Sequence, residues 1–212
     1  STYAKCPTVK KGDTGNLVYI VQGGLWCKGY SPGGFNGVYG DGTYAAVQRF
    51  KKAAGFDDAD GNIDKDFMKA LLDMSAFKLL SGGKEEIRTI QQQLNKDYYD
   101  FYQICPCNGL YDRDMNKMLI YALQKEEGIP KASATGTWGP STISKCPTLE
   151  LGKSSNVVKL VRYALVCNGI SVSTSSKTYD STLDEKAKEF AKLLKLNKKS
   201  NVIDYTIIKS LL

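Results

Sequence analysis

The sequence predicts an all-α chain made of three tandem small three-helix bundles. Three observations carry that prediction. Apolar residues recur at helical spacing, long alternating β runs are missing, and one block of sequence returns along the chain. Residues 6–29, CPTVKKGDTGNLVYIVQGGLWCKG, come back at 146–169 as CPTLELGKSSNVVKLVRYALVCNG. The same displacement carries Tyr39 onto Tyr179, Phe50 onto Phe190, Ile63 onto Ile203 and Leu71 onto Leu211. A middle copy fits if loops vary: IRTIQQQL (87–94) against VYIVQGGL (18–25), CNGLY (107–111) against FNGVY (35–39), and ALQKEEGI (122–129) against RFKKAAGF (49–56). The expected repeats are 1–74, 75–145 and 146–212, each roughly 70 residues, a size at which a single core is only marginally stable.

The first helix of each unit shows the same buried stripe: Val18, Val21 and Leu25, then Ile87, Ile90 and Leu94, then Val158, Val161 and Leu165. Asn16 and Asn156 stand where an N-cap belongs, and Glu85 and Glu86 suit the first turn of the middle copy. The second helix places Val47, Phe50 and Ala54 inward, matched by Ile120 and Leu123 and by Ala187, Phe190 and Leu194, with Thr43 able to cap it. A short third helix follows a turn and carries Phe67, Met68, Leu71 and Leu72 as its apolar positions, matched by Ile207, Ile208, Leu211 and Leu212.

Between the first two helices lies GFNGVYGDGTYAAVQRF (34–50), whose glycines invite a phosphate-loop reading. A Walker loop needs GxxxxGK with Ser or Thr after a buried strand, and here no lysine follows and a helix precedes. Tyr39 recurs as Tyr111 and Tyr179, but Gly37 gives way to Lys177 and Gly40 to Asp112 or Asp180, so the glycines read as turn geometry. The chain has no histidine, which removes the commonest general base and every Ser-His or Cys-His nucleophile pair. The net charge of +7 favours an anionic partner.

The order G-D-x-G-N-x-V-x-x-x-Q, then N-G-V-Y-G-x-x-T-x-x-A-V-x-x-F, then an Asp-Gly loop and a short helix resembles the type 1 peptidoglycan-binding domain. The resemblance runs through Gly12, Asp13, Gly15, Val18, Gln22, Asn36 to Gly40, Thr43, Ala46, Val47, Phe50, Asp60, Gly61 and Ile63. It continues in the second copy through Gln91, Leu94, Asn108, Gly109, Leu123, Gln124, Gly136, Trp138, Gly139, Pro140 and Thr142, and is weakest in the third. It implies a non-catalytic anchor, outside the cell and on its wall, like the tail of a bacterial glycosidase-like protein. Peptidoglycan or another anionic wall polymer is then the partner, with neither nucleic acid nor membrane and no cofactor. A catalytic domain is expected upstream, this chain being a fragment or mature form of a longer one.

Cys6 and Cys27 are spaced like Cys146 and Cys167, while the middle copy has Ser75 and Lys96 there. Two intra-repeat disulfides are expected, each worth ~3 kcal/mol in the chain-entropy model. The rival scheme joins Cys146 to Cys105 or Cys107. No metal is expected: Cys105-Pro-Cys107 lacks further ligands, and FDDADGNID (56–64) puts Phe56 and Phe67 where a calcium loop needs oxygen donors.

Ligand contacts are expected from residues around the loop that packing does not demand. These are Asp41, Thr43 and Tyr44 in the first copy, with Tyr39 a further candidate whose recurrence favours a core anchor, and Arg113, Asp114 and Asn116 in the second. The inserted DYYDFYQ (97–103) offers Tyr99 and Tyr102 for stacking on sugar rings. Trp138, aligned with Ile63, reads as core. The lysines of 186–200 read as a solvated face or, in a functional version, as contacts of Lys195, Lys198 and Lys199 with wall phosphates or carboxylates. Two other functions compete: a two-carboxylate hydrolase, for which Asp57, Asp58 and Asp60 crowd one turn, and a protein-interaction or pro-segment module.

Overall fold

The computed structural model describes residues 7–73, 77–102 and 104–212. Cys6 and Ser75, and with them the expected Cys6–Cys27 pairing, lie outside the described residues. The chain is mostly helical and forms two compact units, 1–110 and 111–212, a division that falls within the span expected for the second repeat.

In the first unit α1 (Asn16–Cys27), α2 (Asp41–Ala54) and α3 (Lys65–Leu72) pack around Val18, Val21, Leu25, Tyr39, Val47, Phe50, Phe67 and Leu71. Phe50 is the centre, meeting Tyr30, Phe67 and Phe77 edge-on at 5.2 to 5.4 Å between centroids, the geometry aromatic quadrupoles favour. Helix α1 approaches α3 closely because Gly24 leaves room for Leu71. Asp64 caps α3 by accepting from the Phe67 N–H at 2.8 Å. Helix α4 (Glu85–Tyr98) packs on α2 through buried polar contacts: Gln92 Nε2 donates to Ala53 O at 2.9 Å, and Asn95 Nδ2 donates to Ala54 O at 2.5 Å. The Gln92 backbone sits so near Gly55 that any Cβ there would collide.

The second unit holds α5 (Arg113–Glu126), α6 (Pro140–Lys145), α7 (Asn156–Cys167), α8 (Ser181–Leu193) and α9 (Tyr205–Leu211), with α7 central against α5, α8 and α9. Strands β1 (Leu149–Glu150) and β2 (Val202–Ile203) pair antiparallel, Leu149 opposite Ile203. Two pairings of the first unit, Val9 with Ile63 and Thr14 with Val38, return here as Leu149 with Ile203 and Ser154 with Thr178. Capping differs from expectation. Ser155, not Asn156, caps α7, and Asn156 instead donates to both carboxylate oxygens of Glu126 at 3.1 and 3.0 Å.

No disulfide joins Cys146 to Cys167, and both are free thiols, as is Cys27. Cys146 ends α6 with the carboxylates of Glu127 and Asp204 about it, whereas Cys167 ends α7 near Tyr111. Burial pushes each thiol up to about 12.

Glu127, just past α5, has both carboxylate oxygens buried without a hydrogen-bond partner. Burial lifts its carboxyl to about 7, against the opposing charge of Lys145. The unfolded chain releases this proton near pH 4.3. The residue's contribution to stability is therefore greatest below that pH and is lost as pH rises towards 7. Glu127→Gln should raise stability at pH 8 by about 1 to 2 kcal/mol, allowing for partial exposure, and leave it unchanged at pH 4; paired thermal melts check this.

Candidate functional site

The loop between α1 and α2 is held from inside by one amide. Gln22, one turn from the end of α1, is 1% exposed. Its Nε2 donates to Asn36 Oδ1, Val38 O and Thr43 Oγ1, each at 3.1 Å, and its Oε1 accepts from the N–H groups of Asn36 at 3.2 Å and Gly37 at 3.0 Å. Turning both N–H groups inward requires φ of 65° at Gly37, where a Cβ would also strike the Tyr19 ring. The N–H groups of Asn36 and Gly37 are thus already spent within the loop.

The same device returns three times. Gln91 Nε2 donates to Asn108 Oδ1 and Leu110 O, both at 3.0 Å, and its Oε1 accepts from Gly109 N at 2.8 Å. Gln124 accepts from Thr135 N and Gly136 N and donates to Thr137 O and to Thr142 Oγ1. TGTWG (135–139) therefore occupies the role of NGVYG (36–40). That places half-buried Trp138 where Tyr39 stands, not at the position of Ile63. The fourth clamp is Arg162, which donates to Ser173 O at 3.1 Å, Thr178 O at 2.8 Å and Asp180 Oδ2 at 2.6 Å.

The residues singled out from the sequence separate into inward and outward sets. Tyr39 is fully buried and donates from its hydroxyl to Gly61 O; burial raises that hydroxyl's pKa. Thr43 is 2% exposed and belongs to the Gln22 clamp. Asp41, exposed at the start of α2, pairs with Lys11, whose ammonium also lies 5.8 Å from the Tyr44 ring centroid, so these three form one cluster. Tyr44 is half-buried and its ring covers Gly61. Tyr99 is half-buried against Phe56, with centroids 6.2 Å apart, and Tyr102 is half-buried in the turn after α4. Asp60, between the Tyr44 and Tyr99 ends of the 56–61 loop, is held by buried Lys51 at 2.5 Å. In the second unit Arg113 and Asp114 are exposed at the start of α5, while Asn116 is half-buried and donates to Tyr111 Oη and Leu212 O.

A face that the sequence reading passed over is the more open one. Tyr19, Gly23 and Trp26 line one side of α1, beside the buried stripe. Trp26 is 58% exposed, Phe35 51% and Tyr19 47%. Phe35 meets Trp26 edge-on at 5.8 Å and crosses above Gly23, while the Tyr19 ring lies on Gly37. Three exposed rings thus stand together, Tyr19 and Trp26 on α1 and Phe35 on the loop that the Gln22 clamp ties to that helix. Tyr121 on Gly136 repeats one part of this arrangement. The signal in the sequence was Tyr19 and Trp26 seven apart with a glycine between them, off the apolar stripe.

Residues 80–212 match the family model described as the FadG/YbfG, PGDB-like domain. The chain belongs to the FadG/YbfG family. Residues 14–71 of this FadG/YbfG chain match a second model, a peptidoglycan binding domain, which is a non-catalytic binding domain. This corrects the expectation of three copies of the type 1 domain: one copy matches it, and residues 80–212 match the FadG/YbfG description. YbfG of Bacillus subtilis is 57% identical over 155 residues, which is 73% of this chain and 21% of that protein. FadG of the same organism is 39% identical over 203 residues, covering 93% of this chain and 35% of its own length. The chain thus spans between a fifth and about a third of the relatives it matches, neither of which carries an assigned activity. No solved structure matches it. Among the described residues no helix is long and apolar enough to cross a membrane.

Proposed function

We propose that this chain binds peptidoglycan through the Tyr19, Trp26 and Phe35 face and, as part of a longer extracellular protein, holds a wall-acting enzyme against the cell wall. The observation that carries this reading is that exposed face of rings, set on α1 and its clamped loop in the segment that matches a peptidoglycan binding domain. Sugar rings present apolar C–H faces that stack on aromatic rings, and their acetamido and carboxylate groups need polar partners nearby. Lys11 and Asp41 beside Tyr44 offer such partners in the first unit, and Arg113 and Asp114 offer them in the second. Tyr99 and Tyr102 keep some surface for a secondary contact, and Asn116 less. Tyr39 and Thr43 support the loop from within. The recurring clamps and strand pairings support reading the chain as related helical bundles in tandem, with the repeat boundaries 1–74, 75–145 and 146–212.

Purified murein sacculi, stripped of covalently attached polymers, should carry the chain into the pellet at low and moderate salt. Trp26→Ala and Phe35→Ala should each weaken retention by ~10-fold or more, as truncating an aromatic anchor does, without changing the helical content. Retention of both variants at the parent level would refute the assigned face, and a parent chain left in the supernatant would refute peptidoglycan binding itself.

A further inference from the structure

In the second unit, the end of α8 and the segment after it enclose an open cleft of about 450 Å³ lined by Lys188, Lys192, Lys195, Leu196, Asn197 and Lys198. Lys188 and Lys198 both reach the buried carboxylate of Asp184 at 2.5 Å. Four ammonium groups therefore stand against one carboxylate. Lys192 and Lys195 are exposed and, among the described residues, in no ion pair.

The backbone supplies a second, independent observation. Lys195 has φ of 56°, in the left-handed region that disfavours any residue with a Cβ. The equivalent residues beyond α2 and α5 are glycines, Gly55 with φ of 75° and Gly128 with φ of 68°. A lysine therefore stands where the two sister helix ends carry the residue that fits without strain. Strain kept at a cationic position lining a cleft points to a use for the cation. Both free lysines lie at the carbonyl end of α8, whose dipole disfavours anions, so attraction must come from the side chains themselves.

We propose that this cleft binds successive phosphates of a flexible phosphodiester polymer without bases, of the poly(alditol phosphate) kind. Its lining has Leu196 and lysine stems but no aromatic ring, and stacking on aromatic rings is the chief contact of single-stranded nucleic acid. Mobile ammonium groups suit phosphates whose spacing is not rigidly fixed.

The intact chain is titrated with labelled poly(glycerol phosphate) at about 50 mM salt, where charge attraction is weakly screened. Lys192→Ala with Lys195→Gly should lower affinity by ~10-fold, while removal of two exposed lysines elsewhere, Lys52→Ala with Lys65→Ala, should change it by less than about twofold. Lys195→Gly alone should weaken binding and yet raise Tm by a few degrees, because it relieves the left-handed strain. Equal losses in the two double variants, or no binding by the parent chain, would overturn the proposal. So would tighter binding of single-stranded DNA of matched charge. Inorganic phosphate that displaced the polymer at equal phosphate concentration would overturn the polymer assignment in favour of a free-phosphate site. Retention on stripped murein should be the same for the cleft variants as for the parent, which separates this cleft from the aromatic face.

Discussion

Gln22→Leu should destabilise the first unit by about 3 kcal/mol, a large share of what a domain of this size possesses, as read by urea unfolding. Leucine fills a similar volume, so the loss is not one of packing. It strands the Gly37 N–H and the Thr43 hydroxyl in a buried setting and deprives Val38 O and the Asn36 side chain of their donor. Gln22→Glu sharpens the point. A carboxylate still accepts from the Asn36 and Gly37 N–H groups, but it faces Val38 O and Asn36 Oδ1 with no hydrogen to give. The Glu variant should be nearly as unstable as Leu at pH 7 and should recover part of the difference at pH 4, where a protonated carboxyl donates again. Equal stability of Glu and Gln at pH 7 would mean that the donor half of the clamp is idle. Murein retention should fall in step, since Phe35 stands on this loop and the Tyr19 ring lies on its Gly37.

Arg162→Met should cost the second unit about 3 to 4 kcal/mol, because it uncovers two carbonyls and the Asp180 carboxylate that a buried guanidinium serves. Arg162→Gln should fare little better, although glutamine is the residue of the sister clamps. Glutamine both gives and accepts, so its loop must turn N–H groups inward, and Gly37 at φ of 65° allows that. Arginine only gives. Its loop turns three oxygens inward instead, and Lys177, matched to Gly37, has no positive φ. A glutamine at 162 would meet oxygens where it needs one N–H. Unfolding free energies of the Met and Gln variants within about 1 kcal/mol of each other, from denaturant titration, are the expected result; a Gln variant as stable as the parent would contradict it.

That exchange explains why the third copy reads as degenerate in sequence while folding alike: Gly37 was lost together with the reason for it. Helix positions were legible because Val18, Val21 and Leu25 and their counterparts follow a helical period. The register of α5 was not. Aligning ALQKEEGI with RFKKAAGF gave it the part of a second helix, whereas Gln124 makes it act as a first helix towards TGTWG. Self-comparison assigns each helix one part, and α5 follows one clamped loop and grips the next. Thr43 was chosen for being polar beside the loop, but its hydroxyl is consumed by Gln22. Trp26 is illegible as a site residue because, with Tyr19, it stands off the apolar stripe by which the buried positions of a helix are read.

Each loop here is fastened from its inner side, largely through its backbone groups. The positions that look outward are thereby released from any duty to keep the turn in shape. Phe35, Val38 and Asp41 correspond to Ser175, Thr178 and Ser181 in the later copy, a full change of surface chemistry on a loop still tied to its helix. Such a chassis separates inheritance of shape from inheritance of preference, and a new specificity can be written on it by exchanging a handful of outward residues.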